Sequence, residues 1–112
     1  MESIRQQKVA RLLQKELGQM FQQDSSLYVP GGMITVTVVR VTPDLGLARV
    51  YLSIFPSAQG EEALKQIRIT TKNIRFQLGK IVRHQLRVIP ELDFHIDDSL
   101  DYAQHIDDLL KD

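Results

Sequence analysis

The chain has 112 residues, 43% of them hydrophobic and 25% charged, with no cysteine and a formal net charge of zero. Size and composition describe one soluble globular domain that can bury a core without covalent staples. The lack of cysteine excludes a disulfide framework, thiolate catalysis and a thiolate metal site.

No stretch approaches the roughly 20 apolar residues of a membrane span. The charged N-terminus lacks the apolar segment of a secretory signal. These features predict a cytoplasmic protein. In chain order, residues 3–22 carry Val9, Leu12, Leu13, Leu17, Met20 and Phe21 at helical spacing, with Ser3 as N-cap. Residues 24–32, DSSLYVPGG, have the composition of a loop. Met33–Val41 is β-branched almost throughout and predicts a strand. Thr42, Pro43, Asp44, Leu45 and Gly46 form a turn, in which Gly46 is the residue expected to take a positive φ. Leu47–Phe55 alternates, with Ala48, Val50, Leu52 and Ile54 on one side, and predicts the antiparallel partner strand.

Residues 56–60 break the pattern, and Glu61 and Glu62 open a helical stretch that reaches about Val88 before Pro90. Residues 91–97 alternate again, with Leu92, Phe94 and Ile96 inward. Ser99 is placed to cap a last helix over residues 100–110, whose apolar side is Ile106, Leu109 and Leu110. The expected order is α-β-β-α-β with a short C-terminal helix. It divides into a domain over residues 1–98 and an acidic tail over residues 99–112.

The zero net charge conceals a polar distribution. The first 88 residues hold thirteen bases and six acids, and the last 24 hold one base and eight acids. Within residues 65–87 lie Lys65, Arg68, Lys72, Arg75, Lys80, Arg83 and Arg87 without one Asp or Glu. Were the helix continuous, all seven would share an arc of roughly 140°. Leu64, Ile67, Ile74, Leu78, Ile81 and Val82 would form the opposite, core-facing side. Ordinary solvated helix faces mix acids with bases, because i,i+4 ion pairs stabilise them. A face of one sign forgoes that stabilisation and attracts a polyanion.

Lys72, Arg75, Arg68 and Arg83 are the leading candidates for phosphate contact, with Arg5, Lys8 and Arg11 as further ones if the first helix lies beside the basic stretch. Gln6, Gln7 and Gln14 would accompany them. Phe76 and Ile69 fall inside the cationic arc. Phe76, an aromatic among arginines, is placed either to stack a base or ribose or to pack under the N-terminal helix or against the C-terminal one; packing is the favoured expectation, since most phenylalanines are buried. His84 reads as an extra phosphate donor and His105 as a surface residue.

Glu91, Asp93, His95 and Asp97 line one strand face. Nothing supplies a third type of metal ligand or a nucleophile beside them, so they read as charges guarding an exposed strand edge. Gly31-Gly32 lacks the spacing of a phosphate loop and no helix of that kind follows. The reading therefore contains no enzyme, no metal and no cofactor.

Three stretches carry a resemblance: RQQKVARLLQKELGQMF at the start, VTPDLGLARVYLSIF in the middle, and IRFQLGKIVRHQLRVIPELDFHIDDSLDYAQHIDDLL at the end. In this order and spacing they resemble the ribosome-binding factor A family of bacterial small-subunit assembly proteins. The resemblance implies an α+β, type II KH-like domain (α-β-β-α-kink-α-β), without the glycine-rich GxxG loop. It further implies binding to ribosomal RNA of the immature small subunit without catalysis of a reaction; a monomer is expected. The family's kink, usually an Ala-x-Gly step, falls here on Thr70, Thr71 and Lys72. The expected outcome is two helices meeting near residues 70–73. The rival reading is a protein–protein adaptor whose basic face docks an acidic partner.

Overall fold

A computed structural model describes residues 2–97 of the chain. The elements are α1 (Ile4–Tyr28), β1 (Met33–Val41), β2 (Leu47–Phe55), a 3-10 turn (Ser57–Gln59), α2 (Gly60–Ile69), α3 (Thr71–Val82) and β3 (Glu91–Ile96). They build a three-stranded sheet in the order β1-β2-β3, with β1 and β2 antiparallel and β2 and β3 parallel. This is the α+β, type II KH-like order. The predicted C-terminal helix, with Ser99 and His105, lies outside the described residues.

The helices cover one face of the sheet. Leu13, Leu17, Ile67, Leu78 and Val82 from the helices meet Val50, Leu52 and Phe94 from the strands, all of them buried. Phe21 and Phe94 pack edge to face with ring centroids 5.8 Å apart, the arrangement favoured by the ring quadrupoles. β1 has no simple two-residue alternation. The register shifts between Val36 and Val38, and this bulge lets Ile34 and Val36 before it and Val39 and Val41 after it all face the core.

Both edges of a three-stranded sheet expose unpaired backbone groups, which are costly to leave unsatisfied when buried. Helix α1 closes the β1 edge with three polar side chains on its inner face. Gln6 Nε2 donates to the Val41 carbonyl at 2.9 Å, and Gln14 Nε2 donates to the Thr37 carbonyl at 3.1 Å. The Ser25 hydroxyl accepts the Ile34 N–H at 3.1 Å. Hence α1 runs six residues beyond the predicted end at residue 22. The polar stretch around Ser25 has the composition of a loop, yet it is helical because Ser25 has a strand edge to satisfy. The predicted N-cap holds: Ser3 and Gln6 form a reciprocal capping box.

The turn between β1 and β2 also departs from expectation. Leu45, not Gly46, takes the positive φ, at 61°. The conformation costs a side chain strain, offset here by packing of Leu45 against the core. Gly32 is required for a different reason. A Cβ there would lie 2.1 Å from the Phe55 carbonyl oxygen and 2.4 Å from Val29 Cγ1.

The basic stretch is two helices that break at Thr70. Its φ of −96° and ψ of 8° leave the helical region. The Thr70 hydroxyl turns back to the Gln66 and Ile67 carbonyls at 3.1 and 3.2 Å, and the Thr71 hydroxyl to the Ile67 carbonyl at 3.1 Å. Both threonines thus satisfy the last carbonyls of α2 and compete with the helix ladder. Tyr28 at the end of α1 supports the joint through its hydroxyl, 3.1 Å from Thr70 Oγ1. Helix α3 stops at Val82, six residues before the predicted end at Val88. The following segment folds back along α3, and Ile89 and Leu86 pack on the core.

Candidate nucleic-acid interface

The helix break and the early end of α3 remove the continuous cationic arc. The seven cations separate into two groups with different tasks. Arg68, on α2, donates through Nε and Nη2 to the Phe94 carbonyl at 3.3 and 2.9 Å. Glu91 and Asp97 direct their N–H groups to β2, so Phe94, of the opposite parity, turns its carbonyl to the free edge of β3. Arg68 caps that edge. Arg75, on α3, donates through Nε to the Pro90 carbonyl at 3.0 Å and through Nη2 to the Ile89 carbonyl. It ties the returning segment to α3 and so positions residues 83–89.

Lys65, Lys72, Lys80, Arg83 and Arg87 are exposed. Among the described residues, none of the five has a carboxylate oxygen within 4.0 Å. Lys72 and Lys80 from α3 and Arg83 and Arg87 from the returning segment line one groove. Its floor is apolar, with Ile69, Phe76, Val88 and Ile89 and the side-chain-free Gly79. No acidic side chain lines it among the described residues.

Among the described residues Phe76 does not pack beneath another helix; the predicted C-terminal helix, the other packing partner expected for it, lies outside them. Phe76 is 60% exposed, because the core-facing phase of α3 belongs to Ile74, Leu78 and Val82. Lys80 Nζ lies over its ring, 4.7 Å from the centroid, within cation–π range. Ile81, assigned to the core side by the same periodicity, is exposed as well.

Arg87 and Val88 also form the wall of a second groove, which faces Arg5, Lys8 and Leu12 of α1 and Leu45 of the β-turn. The first helix therefore lies beside the basic segment at its N-terminal end. Arg11 is exposed but lines neither groove. Gln6 and Gln14 face the β1 edge and are committed to its carbonyls. Lys65 stands at the far end with Glu61, Leu64, Arg68, Ile69 and Ile96. Ile69 belongs to both that depression and the main groove. The cations of the main groove are thus followed by Arg5 and Lys8 on one side, where Asp44 also lines the surface, and by Lys65 on the other, in the same depression as Glu61.

Asp44 borders the second groove. Its carboxyl is held below the ordinary carboxylate range by the Thr42 hydroxyl, 2.6 Å away, and by the Gly46 N–H at 3.0 Å. Along β3, His95 Nε2 is 2.8 Å from Asp93 Oδ2, and its ring stacks on Tyr51. Asp97 accepts from the Thr37 hydroxyl at 2.6 Å. These groups engage neighbours one by one and do not converge on a point. Among the described residues no cluster of three His, Cys, Asp or Glu is arranged to hold a metal ion. His84 is exposed beside Arg83, at 3.4 Å.

Sequence reasoning missed the apolar floor. Its available signal was the placement of Ile69 and Phe76 in the cationic arc, which was read as packing.

A mixed sheet backed by helices, a broken helix pair in place of a glycine-rich loop, and a cationic groove without acids among the described residues define a KH-like domain with a basic surface groove. A family model described as ribosome-binding factor A matches residues 5–110. The chain belongs to the ribosome-binding factor A family. It is 47% identical over 110 residues to ribosome-binding factor A of Cytophaga hutchinsonii, across 98% of this chain and 83% of the relative. It is 46% identical over 110 residues to that of Chlorobaculum tepidum, across 97% and 90%.

Its fold is similar to the crystal structure of ribosome-binding factor A from Thermus thermophilus, with a TM-score of 0.55 and 24% identity over 81% of this chain and 90% of that one. It is also similar to a homology model of the Thermus thermophilus protein fitted into a cryo-EM map of its complex with the 30S subunit. There the TM-score is 0.60 and the identity 25%, over 78% of this chain and 93% of that one.

Proposed function

We propose that this protein is a non-catalytic ribosome assembly factor that binds ribosomal RNA of the immature small subunit in the cytoplasm and assists its maturation. The observation that carries the reading is the groove of Lys72, Lys80, Arg83 and Arg87, which no acid lines among the described residues, with Arg5 and Lys8 in the adjoining groove that Asp44 borders. Lysines and arginines unpaired with carboxylates have their charge available for phosphate, and each contact releases condensed counterions.

Arg68 and Arg75 take the part of positioning residues, because their guanidinium groups already serve backbone carbonyls. Lys65 and Arg11 add to the field at the margins. The β3 acids and His95, being engaged with Thr37, Asp93 and Tyr51, are assigned to the sheet. The relative fitted into the 30S complex supports the choice of the small subunit.

The test is sedimentation of lysates through sucrose gradients. The tagged protein is expected with free small subunits and not with complete ribosomes. The triple variant Lys72→Ala, Lys80→Ala, Arg83→Ala should remain folded and shift to the top of the gradient. A triple variant that still travels with free small subunits would refute the assignment of this surface. Capture of an acidic protein in place of RNA-containing particles would support the adaptor reading.

A further inference from the structure

The charge of the groove explains attraction to RNA but not its floor. Ile69 is 67% exposed, Phe76 60% and Val88 73%, and all three lie in the one groove rimmed by Lys72, Lys80, Arg83 and Arg87. Three large apolar side chains held in water at the centre of a cationic surface mark a place where something partly apolar and negatively charged is received. An unpaired nucleotide has that combination: a flat apolar base joined to a phosphate. Duplex RNA presents only its backbone and a shallow groove, with its bases already stacked.

The local arrangement suits this chemistry. Phe76 lies one helical turn from Lys72 and one turn from Lys80 on α3, so a base on the ring would place its flanking phosphates within reach of a lysine on either side. Lys80 already rests its ammonium over the ring, and rotation of its own side chain can carry that charge to a phosphate. Gly79 keeps the floor beside Phe76 low, and its nearest neighbour across the groove is Ile89. Arg75 fixes the opposite wall by holding the Ile89 and Pro90 carbonyls. The backbone of both walls is thus fixed, and a base reaches the ring as Lys80 swings off it.

We infer that the groove selects unpaired RNA, and that Phe76 is the stacking face for a nucleobase. This rests on the RNA-binding reading above and adds the class of RNA and the residue that distinguishes it. Charge complementarity chooses RNA over an apolar partner such as a second copy of the chain, which would bring its own cations to the same surface.

The protein contains no tryptophan, so the F76W variant of the full chain carries one indole, at the proposed contact. An unlabelled twelve-nucleotide RNA, free or annealed to its complement, serves as the probe. The single strand is expected to quench the indole emission and the duplex to leave it unchanged.

In parallel, affinities of the wild type, F76A and F76W are measured for both forms. Stacking on an aromatic side chain is worth about 1–3 kcal/mol per base, or roughly 5- to 150-fold in affinity. F76A should lose about that factor for the single strand and little for the duplex, while F76W should retain the preference. Lys72→Ala with Lys80→Ala should weaken both forms. If that double variant binds both as the wild type does, the RNA reading itself fails. If it weakens both but F76A leaves the single-strand preference intact, only the stacking inference fails. An indole signal that changes with protein concentration alone, or on removal of residues 98–112, and not with RNA, would assign the groove to a second copy or to the chain's own acidic end and overturn the inference.

Discussion

Arg75 and Arg83 are eight residues apart in the same basic run, and their replacement by alanine is expected to have opposite signatures. Arg75 holds two backbone carbonyls, those of Ile89 and Pro90, where the returning segment meets α3. Removing it leaves both without this donor beside a buried proline. Loss of hydrogen bonds to a charged donor costs about 1–3 kcal/mol when the acceptors are not fully rehydrated. The half-exposed setting favours the lower part of that range. For a domain of this size the melting temperature should fall by roughly 4–8 °C for each kcal/mol.

Arg83 is exposed, and its one described hydrogen bond is to the His84 ring at 3.4 Å. Arg83→Ala should change stability by less than about 0.5 kcal/mol and remove one phosphate contact. Six contacts, from Lys72, Lys80, Arg83, Arg87, Arg5 and Lys8, correspond to a slope of log K against log salt near −4 for single-stranded RNA, at about −0.7 for each. Arg83→Ala should reduce that slope by about 0.7, which is roughly fivefold in affinity at 0.1 M salt. Urea or thermal melts read the first effect, and a salt titration of binding to a defined single strand reads the second. The division of labour would be refuted if Arg75→Ala melted with the wild type while reducing the salt slope by one contact.

Gly32→Ala drives a methyl group into the Phe55 carbonyl and Val29. It should destabilise the protein by at least the roughly 1–3 kcal/mol typical of overpacking, seen as a lower denaturation midpoint. The depressed carboxyl of Asp44 makes the β-turn sensitive to acid. The stability it contributes is present above its unfolded value near 3.8 and is lost as pH falls through the lower folded value. Wild type and Asp44→Ala should therefore differ at neutral pH and converge in strong acid, and melts that differ equally at all pH would oppose this.

Residues 100–112 carry Asp101, Asp107, Asp108 and Asp112 against Lys111. Their removal should raise affinity for arbitrary RNA at low salt and lose that gain at high salt, where the Debye length shrinks to about 3 Å at 1 M. A folded, truncated protein with unchanged affinity would make this end electrostatically silent.

Much of the fold was legible because its signals are local. The limits of β1 and β2 follow from β-branched and alternating residues between a Gly pair, a Pro-Asp turn and a proline. The break near Thr70 was expected from the family's kink together with the paired threonines, whose hydroxyls reach back one turn. The errors fell where a distant group took control. Composition around Ser25 indicated a loop, and the open N–H of Ile34 made it helix. Pattern placed Phe76 under a neighbouring helix, whereas no described element covers that phase of α3.

The sequence by itself determined the order of the elements and the sign of the surface, since propensity, capping and charge belong to residues and their near neighbours. Only the tertiary structure decided which cations are free. Arg68 meets Phe94 across 26 positions of sequence and Gln6 meets Val41 across 35. A sheet edge attracts whichever donor the packed helices bring beside it, and no periodicity records that encounter. The same packing left Lys72, Lys80, Arg83 and Arg87 around an apolar lining, while Arg75 beside them is committed to the Ile89 and Pro90 carbonyls.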